Sequence, residues 1–218
     1  MANHLDLEEQ EQLEEIKHFW KRYGNAITWL LIAVLGAFAA WNGYQYWQRN
    51  QASQASAMYD EVERAIRGGE AAKVERAFAD MKDRFGPTAY AQQAGLLVAK
   101  SLYELGQPDS AKAALGWVAD KSSDKGYASI AKLRLAGLHL ESKSYEEALK
   151  VLDSGVTPEF SALAADRRGD VLAAQGKKTE AVAQYQAAFK AADLRSDYRR
   201  MVEVKLNALG VNPAEGTN

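Results

Sequence analysis

The sequence predicts an all-α protein: a single N-terminal transmembrane helix, then an α-solenoid of three to four helix pairs, then a C-terminal capping helix. Three observations support this fold class. Residues 23–48 carry no charged side chain, a helix–turn–helix pattern recurs three times further along, and no alternating strand pattern of useful length occurs. The 218 residues include no cysteine and only four prolines. This composition favours helices and excludes disulfides, thiolate metal sites and cysteine nucleophiles.

The apolar segment 23–48 predicts a transmembrane signal anchor. Its centre reads AITWLLIAVLGAFAAW, and a helix needs about 20 mostly apolar residues to cross roughly 30 Å of hydrocarbon. Aromatic side chains such as Trp20 and Trp47 lie at both ends, as in the interfacial belts of spanning helices. The alternative is a cleaved signal peptide, for which Ala37-Phe38-Ala39 matches the A-x-A pattern. The long acidic region before that site disfavours cleavage.

Basic residues beside the segment predict its orientation. Lys17, Lys21 and Arg22 precede it, and only Arg49 follows closely. The positive-inside rule therefore places the N-terminus in the cytoplasm and residues 49–218 outside it. Residues 1–22 form an acidic cytoplasmic tail with a helical pattern of apolar residues. This tail is either solvated and partly disordered or an arm that contacts a partner.

One face of the predicted span carries small residues, which allow helix backbones to approach closely in lipid. We interpret this face either as a docking surface for another membrane protein or as incidental spacing in an alanine-rich helix. Its residues are Ala33, Gly36, Ala37, Ala40 and Gly43.

Three segments align without gaps around a helix–turn–helix, and their second helices share an alanine: Ala111, Ala148 and Ala181. The spacings are 37 (148 − 111) and 33 (181 − 148) residues. Small side chains suit positions where two helices cross closely, and glycine suits a tight turn. The first helices carry such residues at Ala99, Ala136 and Gly169, and the turns carry Gly106, Lys143 and Gly176. The pattern resembles the tetratricopeptide repeat, a 34-residue helix pair.

A fourth, weaker copy precedes these three, with Gly69 at its turn and Val74 in the alanine position. An amphipathic helix over Asp197–Leu209 is predicted to cap the stack, because the end of a repeat array must cover an apolar face. Residues 49–210 then form the repeat domain, and residues 211–218 are predicted to be a disordered tail.

The first helices of such pairs line the concave side of the solenoid, where exposed apolar side chains often mark a binding site for a partner or peptide. The alternative is that the capping helix folds into this groove. The predicted lining residues are Gln93, Leu96, Lys100 and Tyr103 from the first copy, Ile130, Leu133, Gly137 and Leu140 from the second, and Leu163, Asp166 and Asp170 from the third.

Nothing in the sequence predicts catalysis. It contains no GxGxxG, Walker, HExxH or GxSxG motif, and we expect no enzyme activity, metal or cofactor. The net charge of −2, from 27 basic and 29 acidic residues, gives no support for nucleic-acid binding. His139 occupies a packing position, and Arg167 and Arg168 are interpreted as part of a solvated helix face.

The arrangement resembles the YfgM family of bacterial inner-membrane proteins over essentially the whole chain, including YGNAITWLLIAVLGAFAAWNGYQYW and RRGDVLAAQGKKTEAVAQY. The resemblance implies a non-enzymatic ancillary subunit of the SecYEG translocon. Its repeat domain would lie in the periplasm, beside the membrane-anchored chaperone PpiD, and would help exported client proteins. The resemblance also implies a link to envelope stress signalling through the Rcs response regulator. The alternative function is therefore a membrane-anchored scaffold for that signalling protein. The family supplies no residue-level binding motif.

Overall fold

The computed structural model describes residues 7–193 and 196–212. Within these ranges the regular structure is helical, which confirms the predicted all-α class. Residues 1–6 of the predicted acidic tail and residues 213–218 of the predicted disordered tail lie outside the described residues. The helices are α1 (Leu7–Arg67), α2 (Ala71–Phe85), α3 (Ala89–Glu104), α4 (Pro108–Lys121), α5 (Lys125–Glu141), α6 (Tyr145–Asp153), α7 (Ser161–Ala174), α8 (Lys178–Ala191) and α9 (Asp197–Ala208), with a short 3-10 turn at Pro158–Phe160.

The apolar segment continues into the first repeat helix, because α1 runs without interruption from Leu7 to Arg67. Its residues divide between two compact units, one that ends at Gln51 and one that begins at Ala52. The two units are described separately below.

In the first unit, α1 is the one helix of the described residues that is long and apolar enough to cross a membrane. Its most apolar stretch is only 6% buried, whereas the core helix of a soluble protein would be mostly buried. Two polar side chains inside this stretch bond to the carbonyl oxygen four residues earlier. Thr28 Oγ1 donates to Gly24 at 2.8 Å and Asn42 Nδ2 donates to Phe38 at 2.9 Å. Such bonds satisfy polar groups that hydrocarbon could not.

The second unit stacks four helix pairs, at the upper end of the predicted three to four. The C-terminal part of α1 pairs with α2, since Met58 and Val62 belong to one apolar cluster with Val74 and Phe78. The further pairs are α3 with α4, α5 with α6, and α7 with α8. A residue with positive φ lies in the turn of each pair: Gly69 at 69°, Gly106 at 75°, Lys143 at 59° and Gly176 at 77°. The turn positions read from the sequence are therefore correct, including the position where lysine replaces glycine.

The alanine positions of the second helices are buried where the two helices of each pair pack closely. Ala111, Ala148 and Ala181 are fully buried, and so is Val74 at the equivalent position of α2. A larger side chain there would hold the two helices apart. This burial confirms the register of all four copies, including the weaker first one.

Helix α9 caps the last pair, as predicted. Its buried residues Val202 and Leu206 belong to one apolar cluster with Ala181, Tyr185 and Ala188 of α8. The open end of the array is thereby covered.

Lys143→Gly is expected to raise the free energy of unfolding of the repeat domain by about 0.5–1 kcal/mol. A lysine in the left-handed region costs roughly 1 kcal/mol or more, and glycine removes this strain. The larger conformational entropy of glycine in the unfolded state offsets part of the stabilisation. Chemical unfolding of the full-length protein in lipid nanodiscs, followed by circular dichroism, would measure it. The control is Lys150→Gly inside α6, which should lower stability by about 0.5–1 kcal/mol. Equal losses in both variants would contradict the prediction.

Candidate functional site

Two adjoining clefts lie along the first helices of the last three pairs, on the side where the sequence predicts a groove. The first cleft, between α3 and α5, has a volume of about 360 Å³. The second, between α5 and α7, has a volume of about 250 Å³. The structure thus brings together side chains that are about 35 residues apart in sequence. The first cleft is lined by Ala99, Lys100, Tyr103, Leu115, Arg134, Gly137, Leu138, Glu141 and Arg167, and the second by Ile130, Leu133, Arg134, Phe160, Leu163, Asp166 and Arg167.

Four predicted groove residues do not line these clefts. Gln93 donates a hydrogen bond to the Tyr127 hydroxyl. Leu96 is 8% exposed and belongs to the apolar core. Leu140 is half-buried against the core cluster of α6 and α7. Asp170 is held by α9, as described below. The other seven predicted groove residues line one or other of the two clefts.

One hydrogen bond crosses the edge of the first cleft. The Tyr103 hydroxyl donates to Glu141 Oε2 at 2.6 Å and so links α3 to α5. This bond to a carboxylate raises the pKa of the Tyr103 hydroxyl, so the group remains a donor. The Glu141 carboxylate thus accepts a hydrogen bond from a neutral hydroxyl, which does not cancel its negative charge.

Helix α9 closes the far end of the groove through an ionic cluster. Lys205 Nζ lies 2.7 Å from Asp166 Oδ1 and 2.6 Å from Asp170 Oδ1. The Tyr185 hydroxyl also donates to Asp170 Oδ1, at 2.9 Å. Burial, followed by the charge of Asp170, raises the pKa of the Tyr185 hydroxyl and keeps it protonated. Since α9 lines neither cleft, the capping helix covers this acidic end and leaves the clefts open.

Two arginines that the sequence reasoning did not select line both clefts: Arg134 and Arg167. Their spacing could have identified them. Arg134 lies four residues after Ile130, and Arg167 lies four residues after Leu163, so each shares a helix face with a predicted groove residue.

The interpretation as a solvated helix face is wrong for Arg168, whereas the Arg167 side chain is 39% exposed. The Arg167 guanidinium borders the groove. Arg168 donates through Nη2 to the Leu152 carbonyl oxygen at 2.8 Å and through Nε to Asp153 Oδ1 at 3.1 Å. It thus satisfies a carbonyl at the C-terminal end of α6, and a pair of adjacent arginines in the sequence does not reveal this tertiary contact.

Comparisons with known proteins agree with this architecture. A family model described as a tetratricopeptide repeat-like domain matches residues 17–211. A curated protein of Neisseria gonorrhoeae named ancillary SecYEG translocon subunit is 31% identical over 213 residues, which cover 96% of this chain and 100% of the relative. Proteins of the same name from Haemophilus influenzae and Escherichia coli are 29% and 27% identical, over 93% of this chain and 98% and 97% of the relatives. The chain belongs to the YfgM family.

The match to YfgM relatives extends over both units of the chain. The range matched by the family model, residues 17–211, includes the apolar stretch of α1 and every helix pair through the capping helix α9. The names of the relatives and the apolar helix together fit a membrane-anchored protein. Among the residues that the structure describes in this YfgM-family chain, no group of three or more His, Cys, Asp or Glu side chains could hold a metal ion.

His139 of this YfgM-family chain is half-buried in α5, and its Nδ1 atom is buried without a hydrogen-bond partner. Burial lowers its pKa below the ordinary value of 6.5, and nearby Lys112 lowers it further, against the opposing effect of Glu147. The folded state therefore binds this proton less readily than the unfolded state. The contribution of His139 to stability is fully present above pH 6.5 and is lost as the pH falls through its folded-state pKa.

We expect His139→Leu to become more stable relative to the wild type as the pH falls from about 7.5 to about 5.5, because leucine removes this proton-linked loss. Urea unfolding of both proteins at the two pH values would measure the difference. The carboxylates are the same in the wild type and the variant, so they affect both proteins equally. If the free energies of unfolding of the two proteins changed in parallel with pH, His139 would not be the source of the proton-linked loss.

Proposed function

We propose that the chain is a non-enzymatic ancillary subunit of the SecYEG translocon, anchored in the bacterial inner membrane. Its N-terminus would lie in the cytoplasm and its repeat domain in the periplasm. There the groove would hold a partner chaperone of the PpiD type or an exported client protein. The observation that carries this proposal is the alignment of nearly the whole chain with relatives named for that role.

The groove supports the binding part of this proposal. Leu163 in the second cleft is 38% exposed, and Tyr103 in the first is 44% exposed. Exposed apolar side chains gathered in a concave surface are typical of sites that bind other proteins. The first helices of three successive pairs contribute to the surface, so a bound segment would contact several repeats at once.

Photo-crosslinking from single sites in native membranes would test the proposal. A crosslinker at Leu133 is expected to label a chaperone or an exported protein, whereas one at Ala113, on the exposed side of α4, is not. A crosslinker at Ala37 on the small-residue face is expected to label a SecYEG subunit, with Leu35 on the opposite face as the control. If no translocon subunit, chaperone or exported protein were labelled from Leu133 or Ala37, the proposal would be wrong.

Orientation can be tested separately, since the chain has no native cysteine. A cysteine at exposed Ser142 should react with an impermeant maleimide once the outer membrane is opened. A cysteine at exposed Glu15 should react only after the inner membrane is also broken. The opposite pattern would contradict the orientation inferred from Lys17, Lys21 and Arg22.

A second candidate function is a scaffold for envelope stress signalling through the Rcs response regulator. It is favoured by exposed apolar side chains on the N-terminal part of α1, where Ile16 is 64% and Trp20 is 59% exposed. Deletion of residues 1–22 separates the two functions. Loss of the signalling response with intact translocon association would favour the scaffold.

A further inference from the structure

Arg134 and Arg167 lie at the junction of the two clefts, since both side chains line both of them. Arg134 is exposed, and its described contact is a long hydrogen bond of 3.5 Å from Nη1 to the Leu96 carbonyl oxygen. Among the side chains that the structure describes, those of residues 11–193 and 196–212, no carboxylate oxygen is paired with its guanidinium within 4.0 Å. Arginine has five N–H donors, so most of the donors of Arg134 face the groove without a protein acceptor.

Arg167 also retains donors. It forms an ion pair with Asp170 Oδ2 at 3.5 Å, while the other oxygen of Asp170 already accepts from Lys205 and Tyr185. On the opposite wall, a Cβ atom at Gly137 would come only as close as 3.8 Å to Arg167 Cζ. The absence of a side chain at Gly137 leaves the guanidinium accessible from the first cleft.

The lining of the two clefts carries one net positive charge, although the chain carries a net charge of −2. Lys100, Arg134 and Arg167 are its basic residues. The acidic residues that line the clefts are Glu141 and Asp166. Glu141 accepts from Tyr103, and Asp166 is paired with Lys205. Lys100 is paired with exposed Glu104 across 3.7 Å. The groove therefore complements a negative charge.

Apolar side chains surround the two arginines. Ile130, Leu133, Phe160 and Leu163 line the second cleft, and Leu115 and Leu138 line the first. A guanidinium beside apolar walls recognises a carboxylate strongly, because the planar fork donates two parallel hydrogen bonds in a region of reduced dielectric.

We propose that the groove binds an apolar polypeptide segment that carries a carboxylate, and that Arg134 and Arg167 recognise this carboxylate. The inference rests on the proposed function in that the occupant is a segment of a partner or client protein, and it adds the chemistry by which that segment is selected. Apolar residues of the segment would fill the clefts on either side of the two arginines.

The test compares two synthetic fluorescent peptides bound to the full-length protein in lipid nanodiscs. One peptide has leucine and alanine residues around a central glutamate, and the other has glutamine in place of the glutamate. The wild type is expected to bind the glutamate peptide about tenfold more tightly. Raising the salt concentration should reduce this preference.

Arg134→Gln and Arg167→Gln are each expected to lose most of the preference, while their affinity for the glutamine peptide stays at the wild-type level. Arg134→Lys should keep part of the preference for the glutamate peptide, because lysine retains the positive charge but lacks the planar pair of donors of the guanidinium. The matched control is Arg200→Gln, which removes an exposed arginine of α9 outside the groove and should retain the full preference. Unfolding midpoints of all variants would confirm that they are folded.

Three results would overturn the proposal: equal affinity of the wild type for both peptides, binding of neither peptide, or an equal loss of preference in Arg200→Gln. These results are independent of the crosslinking in membranes. A retained peptide preference without labelling of translocon, chaperone or exported protein would disprove the proposed function and leave this inference standing. Labelling without a peptide preference would disprove this inference and leave the proposed function standing.

Discussion

Gly169→Ala is expected to lower the free energy of unfolding of the repeat domain by about 3 kcal/mol. A Cβ atom at this position would lie 2.5 Å from Tyr185 Cε1 and 2.6 Å from Cδ1, far inside van der Waals contact. The ring cannot swing aside, because Tyr185 is 4% exposed and its hydroxyl is anchored on Asp170. Helices α7 and α8 would therefore have to move apart, which would open the core beneath α9.

Chemical unfolding of the full-length protein in lipid nanodiscs would measure this effect. The matched control is Gly116→Ala in α4, where an added Cβ meets nothing within 4 Å. That variant should gain about 0.5–1 kcal/mol, since alanine replaces glycine inside a helix without a clash. If Gly169→Ala behaved like Gly116→Ala, the close approach of the Tyr185 ring to α7 would be refuted.

Lys205→Met should destabilise the domain by about 2–3 kcal/mol. Asp166 is 6% exposed and would be left as a buried carboxylate without its cation, whereas Asp170 would keep Tyr185 and Arg167. The expected loss is smaller than for a fully buried pair because the Lys205 side chain is 26% exposed. Methionine retains much of the length of lysine, so the change isolates the loss of charge.

The control for this prediction is Lys73→Met. Lys73 lies at the same distance, 2.7 Å, from Glu70, but both side chains are more than half exposed. Its removal should cost between 0 and about 1 kcal/mol. Adding Asp166→Asn to Lys205→Met should restore much of the stability, because a neutral amide is less costly to bury than an unpaired carboxylate. Similar losses for Lys73→Met and Lys205→Met would show that burial of the pair is unimportant.

Much of the fold is predictable because it rests on local patterns. The interval between Ala111, Ala148 and Ala181 established the helix pairs, and the same register placed a left-handed turn at Lys143 without a glycine. Val74 was recognised in the alanine position of the weakest copy and is fully buried there. Each of these positions depends on contacts within one pair, so the sequence spacing carries the information.

The groove was less predictable because contacts between pairs shape it. Among the residues that register alone selects, Lys100, Tyr103, Leu133 and Leu163 line the clefts. It also selected Leu96, which a neighbouring helix buries. Arg134 and Arg167 were missed because charged side chains on a helix are ordinarily solvated.

The sequence by itself determined the helical class, the apolar segment with its basic flank, and the register of the repeats. These features follow from composition and from periodicities within 30 to 40 residues. Only the tertiary structure decided that α9 binds Asp166 and Asp170 through Lys205 while it leaves the clefts open. That outcome depends on how side chains about 35 residues apart in sequence meet across separate helices. The free energies of burial and of ion pairing depend on these distances in space, which the spacing along the sequence does not give.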